Sequence, residues 1–236
     1  MIAVIQAGGK GVRLQPYTQL LPKPLMPVGD SPVIEVIIKW LRRWGVTKTY
    51  ITLGYLGGLI RALCGDGKQW GTEITYCQEP EPLGTIGSLR LLKDELKTPF
   101  INVNSDLITD LNLRELQSFH VKQGGLLTVA VTERVVKSEL GVFEMENNRM
   151  VDFREKPVMK YLASCGVYYM QPEVVDFIPN GVSFGFDDLM NTMLEKKLPV
   201  WLYRHDGLWL DIGREEDFRS AQQSFLKEYK SMVLGS

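Results

Sequence analysis

Met1-Ile2-Ala3-Val4-Ile5-Gln6-Ala7-Gly8-Gly9-Lys10-Gly11-Val12-Arg13 opens the chain, and its reading decides the fold. Met1 to Gln6 is a short apolar run that reads as a fully buried strand and breaks off abruptly into glycine. Three glycines let a backbone come close to a ligand and turn its N–H groups toward phosphate oxygens. The dinucleotide fingerprint would need a glycine where Leu14 stands, and the P-loop would need Gly-Lys-Ser/Thr after four intervening residues. Neither is present. What remains is a glycine turn carrying Lys10 and Arg13, followed by Lys23 in Pro22-Lys23-Pro24. Between Met1 and Gly29 there are three cations and no acid; Asp30 is the first carboxylate. A cation ~4 Å from a phosphate is worth about 4 kcal/mol at an effective dielectric near 20, so such a segment suits a polyphosphate. A glycine-rich turn with solvated basic residues is the reading that the loop alone leaves open.

Outward from this loop, strand and helix patterns alternate. A Gly-, Pro- and Thr-rich loop runs to about Asp30. Ser31 is then placed to cap a helix, with Pro32 at its first position and Gly45 past its end. Val33, Ile34, Ile37, Ile38 and Leu41 share one face of that helix. Strands are expected at 49–53, 73–77 and 100–103, with a short helix near 59–63. Gly84-Thr85 opens a further helix carrying Leu89, Leu92 and Leu96. The alternation predicts a mostly parallel sheet covered on both faces. The second half is richer in strands, at 126–131, 141–145, 150–153 and 165–170, with helices near Pro172 and Phe186. A last strand at 208–211 leads into a charged helix over about 215–230. The economical organisation is one mixed α/β domain spanning 1–236.

The composition agrees with a globular α/β chain. It has 236 residues, 27 Lys+Arg against 28 Asp+Glu, 44% hydrophobic and 23% charged residues. Disorder is excluded by that balance, and sequence-independent nucleic-acid binding by the absence of a basic excess. No apolar run reaches the ~18 residues of a membrane span, and the first strand breaks too early for a secretory signal. Cys64, Cys77 and Cys165 are odd in number and widely spaced, which points to free thiols in a reducing cytoplasm rather than disulfides or zinc. His120 and His205 read as surface or capping residues.

Ala7 to Leu14, with Pro16-Tyr17-Thr18 and Pro22-Lys23-Pro24-Leu25-Met26-Pro27-Val28, resembles the signature of the sugar-1-phosphate nucleotidyltransferases, or nucleotide-sugar pyrophosphorylases. The family pattern carries Thr where this chain has Val12. The resemblance covers nearly the whole chain and is nearest the mannose-1-phosphate guanylyltransferase branch. It implies a single-domain, Rossmann-like nucleotide-diphospho-sugar transferase fold. It also implies a reaction, in which a sugar-1-phosphate oxygen attacks the α-phosphorus of a nucleoside triphosphate and pyrophosphate leaves. By that resemblance Ala7, Gly8, Gly9 and Gly11 hold the nucleotide, Arg13 grips the departing pyrophosphate, and Lys23 neutralises charge near the α-phosphate. Chemistry of this kind is positioning and electrostatics, and needs no Ser–His or Cys–His nucleophile.

Asp106 follows the strand at 100–103, at the carboxyl edge where open α/β sheets bind ligands, though a lone Asp there is often a turn or cap residue. Trp209-Leu210-Asp211-Ile212-Gly213 is similar to the family's late Trp-x-Asp-x-Gly motif, so the resemblance makes Asp106 and Asp211 joint ligands of one Mg²⁺. Glu79-Pro80-Glu81-Pro82-Leu83-Gly84-Thr85 matches the family's nucleobase pocket, which makes Glu79 and Gly84 base contacts; a proline-stiffened loop before a helix is the alternative. Glu155-Lys156-Pro157 resembles the family's sugar motif, with Glu155 on sugar hydroxyls and Lys156 on the sugar phosphate. Pro157 should leave Lys156 extended. Gly141 and Gly166 match glycines where the sugar approaches the backbone. The expected partners are an NTP, with GTP favoured over UTP or dTTP, and a sugar-1-phosphate, and a homo-oligomer is allowed. Two other classes are a glycosyltransferase, which would want an Asp-x-Asp pair where Asn104-Ser105-Asp106 has one acid, and a non-catalytic nucleotide-sugar sensor, which would have lost Arg13, Lys23 or an aspartate.

Overall fold

In a computed structural model of the chain, residues 1–226 and 230–235 are described. The strands and helices, in order, are β1 (Ile2–Ala7), β2 (Pro27–Val28), β3 (Ser31–Pro32), α1 (Val33–Arg43), β4 (Lys48–Leu53), α2 (Gly57–Cys64), β5 (Glu73–Gln78), β6 (Phe100–Asn104), β7 (Leu107–Thr109) and α3 (Leu113–Gln123). They continue as β8 (Leu127–Lys137), β9 (Val142–Glu146), β10 (Arg149–Arg154), β11 (Val158–Met170), α4 (Phe186–Glu195), β12 (Val200–Arg204), β13 (Trp209–Asp211), α5 (Glu215–Ser224) and α6 (Lys230–Leu234).

Among the described residues, seven strands form the main sheet in the order β12-β8-β11-β6-β1-β4-β5. β1 lies between β6 and β4, parallel to both, and only β11 runs against its neighbours. The sheet is thus mixed and mostly parallel, as the alternation implies. Ala3, Ile5 and Ala7 of β1 pack into one apolar layer with Ile34, Ile37 and Leu41 of α1, whereas Val4 packs into the other with Leu89, Val174 and Leu189. Successive side chains of a strand point to opposite faces, so one short strand anchors both layers. No helix among the described residues is long and apolar enough to cross a membrane.

Local differences from the sequence reading have identifiable causes. Ser31 does not cap α1: it is taken up in the β2–β3 ladder opposite Val28, and extended Pro32 occupies the cap position without a side-chain bond. The helix expected from Gly84 is instead a 3-10 segment, Gly87–Leu92. Gly84 sits at φ +81°, and a Cβ there would fall 2.6 Å from the Phe184 carbonyl oxygen, so the chain packs against a neighbouring loop rather than coiling. Leu89, Leu92 and Leu96 are buried as expected. Lys156 is not extended but left-handed, at φ +43°, in the three-residue bend that joins β10 to β11. The closing helix runs from Glu215 to Ser224; residues 227–229 of the expected 215–230 span, and Ser236, lie outside the described residues.

The three cysteines are free thiols, two of them buried. The histidines are not surface residues. His120 is 1% exposed, its Nδ1 2.8 Å from Thr128 Oγ1 and its Nε2 3.0 Å from Gln171 Nε2. The Gln171 amide donates to Nε2, which makes the ring a neutral Nδ1–H tautomer, and burial holds its pKa below the usual imidazole range. His205 is also buried, between Asp110 and the Leu208 carbonyl.

Candidate active site

The carboxyl ends of β1, β4, β5 and β6 open into a pocket of about 710 Å³. Gly8, Gly9, Lys10, Gly11 and Val12 form one wall, Glu79 to Pro82 with Gly84 and Thr85 another, and Asn104, Ser105, Asp106 and Lys23 the inner end. Gly8 is wedged between two neighbours. A Cβ on Gly8 would lie 2.2 Å from Glu79 Oε1, and one on Gly54 would lie 2.4 Å from the Gly8 carbonyl oxygen. The glycine loop and the Glu79–Thr85 loop therefore meet at Gly8, a contact only glycine permits. Beyond it Thr18 Oγ1 donates to the Gly11 carbonyl at 2.9 Å and ties the loop down. Ala7 faces the core and not the pocket, its N–H donated to Thr52 Oγ1. Arg13 belongs to the 3-10 turn Val12–Leu14 that follows the loop.

Glu79 is buried, and one carboxylate oxygen accepts the Leu83 N–H at 3.2 Å. Burial raises its pKa above the usual carboxylate range, and the Leu83 bond opposes that only in part. Its role in the pocket wall was legible as a motif. The floor beneath it was not. Gln6 Nε2 donates to Asn102 Oδ1 at 2.7 Å, while Gln6 Oε1 accepts from Ser88 at 2.7 Å and from Thr52 at 3.0 Å. This network fastens the 3-10 segment Gly87–Leu92, through Ser88, to the central strand. Its members are scattered over 82 and 96 residues of sequence, so no local pattern announces it.

Asp106 and Asp211 are 105 positions apart in sequence and are brought together by a small ladder. β13 pairs antiparallel with β7, Asp211 opposite Leu107, and the Ile212 N–H donates to the Asp106 carbonyl at 2.7 Å. Both carboxylates reach the same ammonium: Lys23 Nζ donates to Asp106 Oδ2 and lies 4.0 Å from Asp211 Oδ1. Asp217, which sequence alone places on a solvated helix face, instead accepts the Asp211 N–H at 3.1 Å and pairs with Arg134 at 3.5 Å. Arg134 in turn lies over the Trp209 ring, 5.3 Å from its centroid.

The expected sugar residues divide. Gly166 lies against Asn104, at the inner end of the pocket. Gly141 and Glu155 touch one another, a Cβ on Gly141 falling 3.1 Å from Glu155 Oε2, but they and Lys156 belong to an exposed arm built from β9, β10 and the outer halves of β8 and β11. None of these three lines the pocket.

The nucleotidyl transferase family matches residues 2–228, and the chain belongs to that family. A mannose-1-phosphate guanyltransferase of Kluyveromyces lactis is 35% identical over 243 residues, covering 96% of this chain and 65% of that protein. A UTP–glucose-1-phosphate uridylyltransferase of Synechocystis is 29% identical over 255 residues, covering 99% of this chain and 66% of that protein. The chain thus spans about 65% of the length of these curated relatives. Among solved structures, a putative glucose-1-phosphate thymidylyltransferase from Bacillus anthracis superposes with a TM-score of 0.76 at 23% identity, over 94% of each chain. HddC from Yersinia pseudotuberculosis, complexed with GMP-PN, gives 0.75 at 20% identity, over 95% of this chain and 99% of that one. These structures share the fold of this chain.

Proposed function

We propose that this chain transfers a nucleotidyl group from a nucleoside triphosphate, GTP in preference, to a sugar-1-phosphate, releasing pyrophosphate. The observation that carries the reading is the convergence of the glycine loop, Lys23, Glu79 and Asp106 on one pocket at the carboxyl edge of parallel strands. A phosphate oxygen of the sugar-1-phosphate forms a bond to the α-phosphorus as the bond from that phosphorus to the β-phosphate oxygen breaks. Arg13 and Lys23 neutralise charge on the departing pyrophosphate and the α-phosphate, and the glycine loop fixes the triphosphate in line.

The acid pair fits a hard divalent cation. Two carboxylates already share one centre of positive charge, and Mg²⁺ usually takes one or two carboxylates with the rest of its shell from phosphates and water. Among the described residues no group of three metal-binding side chains is assembled, which suits a site completed by substrate phosphates. Mg²⁺ held by Asp106 and Asp211 would supply Lewis-acid stabilisation of charge on the phosphoryl oxygens. Asp217 holds Asp211 by its backbone N–H and the Asp106 carbonyl is held by Ile212, while Asp211 Oδ1 also accepts the Gly213 N–H at 2.8 Å, so both acids are oriented by their surroundings.

The base preference rests on Glu79. A carboxylate only accepts, and guanine offers adjacent donors at N1–H and N2–H₂ that it can take in pairs. The 33–35% identity to several mannose-1-phosphate guanyltransferases leans the same way. A uridylyl reading has the Synechocystis relative in its favour. Pyrophosphate release with Mg²⁺, measured for each of the NTPs against a panel of sugar-1-phosphates, decides between them. The expected result is release that requires both substrates and is fastest with GTP. Faster release with UTP or dTTP would move the base assignment, and no release from any pair would overturn the activity.

A further inference from the structure

Lys23 is held in an unusual place for a residue whose proposed partner is a phosphate. Its ammonium lies between the two carboxylates, bonded to Asp106 and 4.0 Å from Asp211. It is the least exposed of the three, its side chain 10% accessible against 22% and 20%. The backbone is fixed there by flanking Pro22 and Pro24 in a 3-10 turn, closed by the Met26 N–H on the Lys23 carbonyl at 3.1 Å. The turn holds the Cα, while the four-carbon stem leaves the ammonium free to move by rotamer change.

We propose that Lys23 is the built-in counter-ion of the acid pair, and that it keeps divalent cations off these carboxylates until a polyphosphate draws the ammonium away. This rests on the reading of Asp106 and Asp211 as the metal acids. A single positive charge reduces the pair's net charge from −2 to −1 and occupies Asp106 Oδ2, one of the oxygens a cation would need, while Asp211 Oδ1 accepts the Gly213 N–H. A divalent ion arriving alone would meet that ammonium within a few ångströms, in a partly buried setting where like-charge repulsion is poorly screened. A triphosphate reverses the balance, because it offers Lys23 another set of anionic oxygens and brings further ligands for the metal. Nucleotide and metal binding are then coupled, each strengthening the other by the same factor. The lysine thereby has a second duty, distinct from charge neutralisation during transfer: it makes metal loading conditional on nucleotide.

Mn²⁺ alone, titrated into the nucleotide-free full chain and followed by electron paramagnetic resonance, reads this without any turnover. Wild type should bind weakly. Lys23→Met should bind at least about tenfold more tightly, and Lys23→Gln should do the same should the Met variant fold poorly. Lys23→Arg, which keeps the charge, should stay as weak as wild type, and Asp211→Asn added to Lys23→Met should abolish the gain. Equal Mn²⁺ affinity in wild type and both neutral variants would overturn the counter-ion role while leaving the acids as metal ligands. No saturable Mn²⁺ binding in any variant, even with a non-hydrolysable GTP analogue present, would overturn the metal assignment itself, and the inference with it.

Discussion

Asp106→Asn should lower turnover by about 10³-fold while the protein unfolds at nearly the wild-type midpoint. The separation of the two effects follows from how Asp106 is held. Its backbone carbonyl accepts the Ile212 N–H, and that bond, with the β7–β13 ladder, survives the substitution. The side chain is partly exposed and bonds Lys23, whose ammonium can still donate to an amide oxygen. What is removed is one negative charge. An amide is a poor ligand for Mg²⁺ compared with a carboxylate, so the interaction lost is the one that develops with the transferring phosphoryl charge. Single-turnover rates and a thermal melt of the same preparation measure both quantities. A variant that melts normally and turns over within a factor of about ten of wild type would remove Asp106 from the chemistry.

Glu79→Gln should cut kcat/KM for GTP by about 10²–10³-fold and leave or raise that for UTP and dTTP. Buried Glu79 accepts the Leu83 N–H with one oxygen. In the variant that N–H selects the amide oxygen, so the NH₂ turns to the other side and opposes a donor where the carboxylate offered an acceptor. Guanine then loses a charge-assisted pair and meets donor against donor, whereas uracil and thymine carry carbonyls that an NH₂ can bond. Acidification gives the same result more gently. Burial raises the Glu79 pKa, so its acceptor form is lost at a higher pH than for an exposed glutamate, and guanine preference should weaken as the pH falls through that raised value. The variant, having nothing to titrate there, should show a flat preference. Competition between GTP and UTP in one reaction, across pH, measures this, and an unchanged ratio would remove Glu79 from base recognition.

Periodicity was sufficient wherever an element was long and its two faces differed. β1, α1 and the parallel order around them follow from the apolar spacing of residues 2–41 and the glycine that stops the first strand. The same signal is silent for β7, three residues long, whose only partner among the described residues is β13 about a hundred residues away. That ladder is what joins the two acids. Their motifs could be read from sequence, but the means of their meeting could not. Asp217 was hidden for a related reason: three acids in a helix's first turn look alike until the fold turns one of them onto the Asp211 amide. His120 shows the opposite case, a polar residue on an amphipathic helix that is buried because Thr128 and Gln171 satisfy both ring nitrogens.

The arm over β9 and β10 marks where pattern and burial separate. Phe143 and Phe153 pair across the hairpin at 4.7 Å, as residues on a core face would, yet both are well exposed. Alternation reports which side chains share a face, and not whether anything covers it. Glu155 and Lys156 follow the end of this hairpin and do not line the pocket that gathers the glycine loop, Lys23, Glu79 and Asp106. The residues expected to hold the nucleotide are thus mostly gathered at one pocket, while of those expected to hold the sugar only Gly166 lies against a pocket-lining residue, Asn104.

The fate of the α-phosphorus tests the central claim most directly. GTP labelled at the α-phosphate, incubated with the chain, Mg²⁺ and a panel of sugar-1-phosphates, should yield label in a phosphatase-resistant nucleotide-sugar, with one equivalent of unlabelled pyrophosphate for each label transferred. Label recovered only as GDP or GMP, at a rate indifferent to the sugar-1-phosphate, would show water rather than a sugar phosphate as the acceptor and would contradict the account.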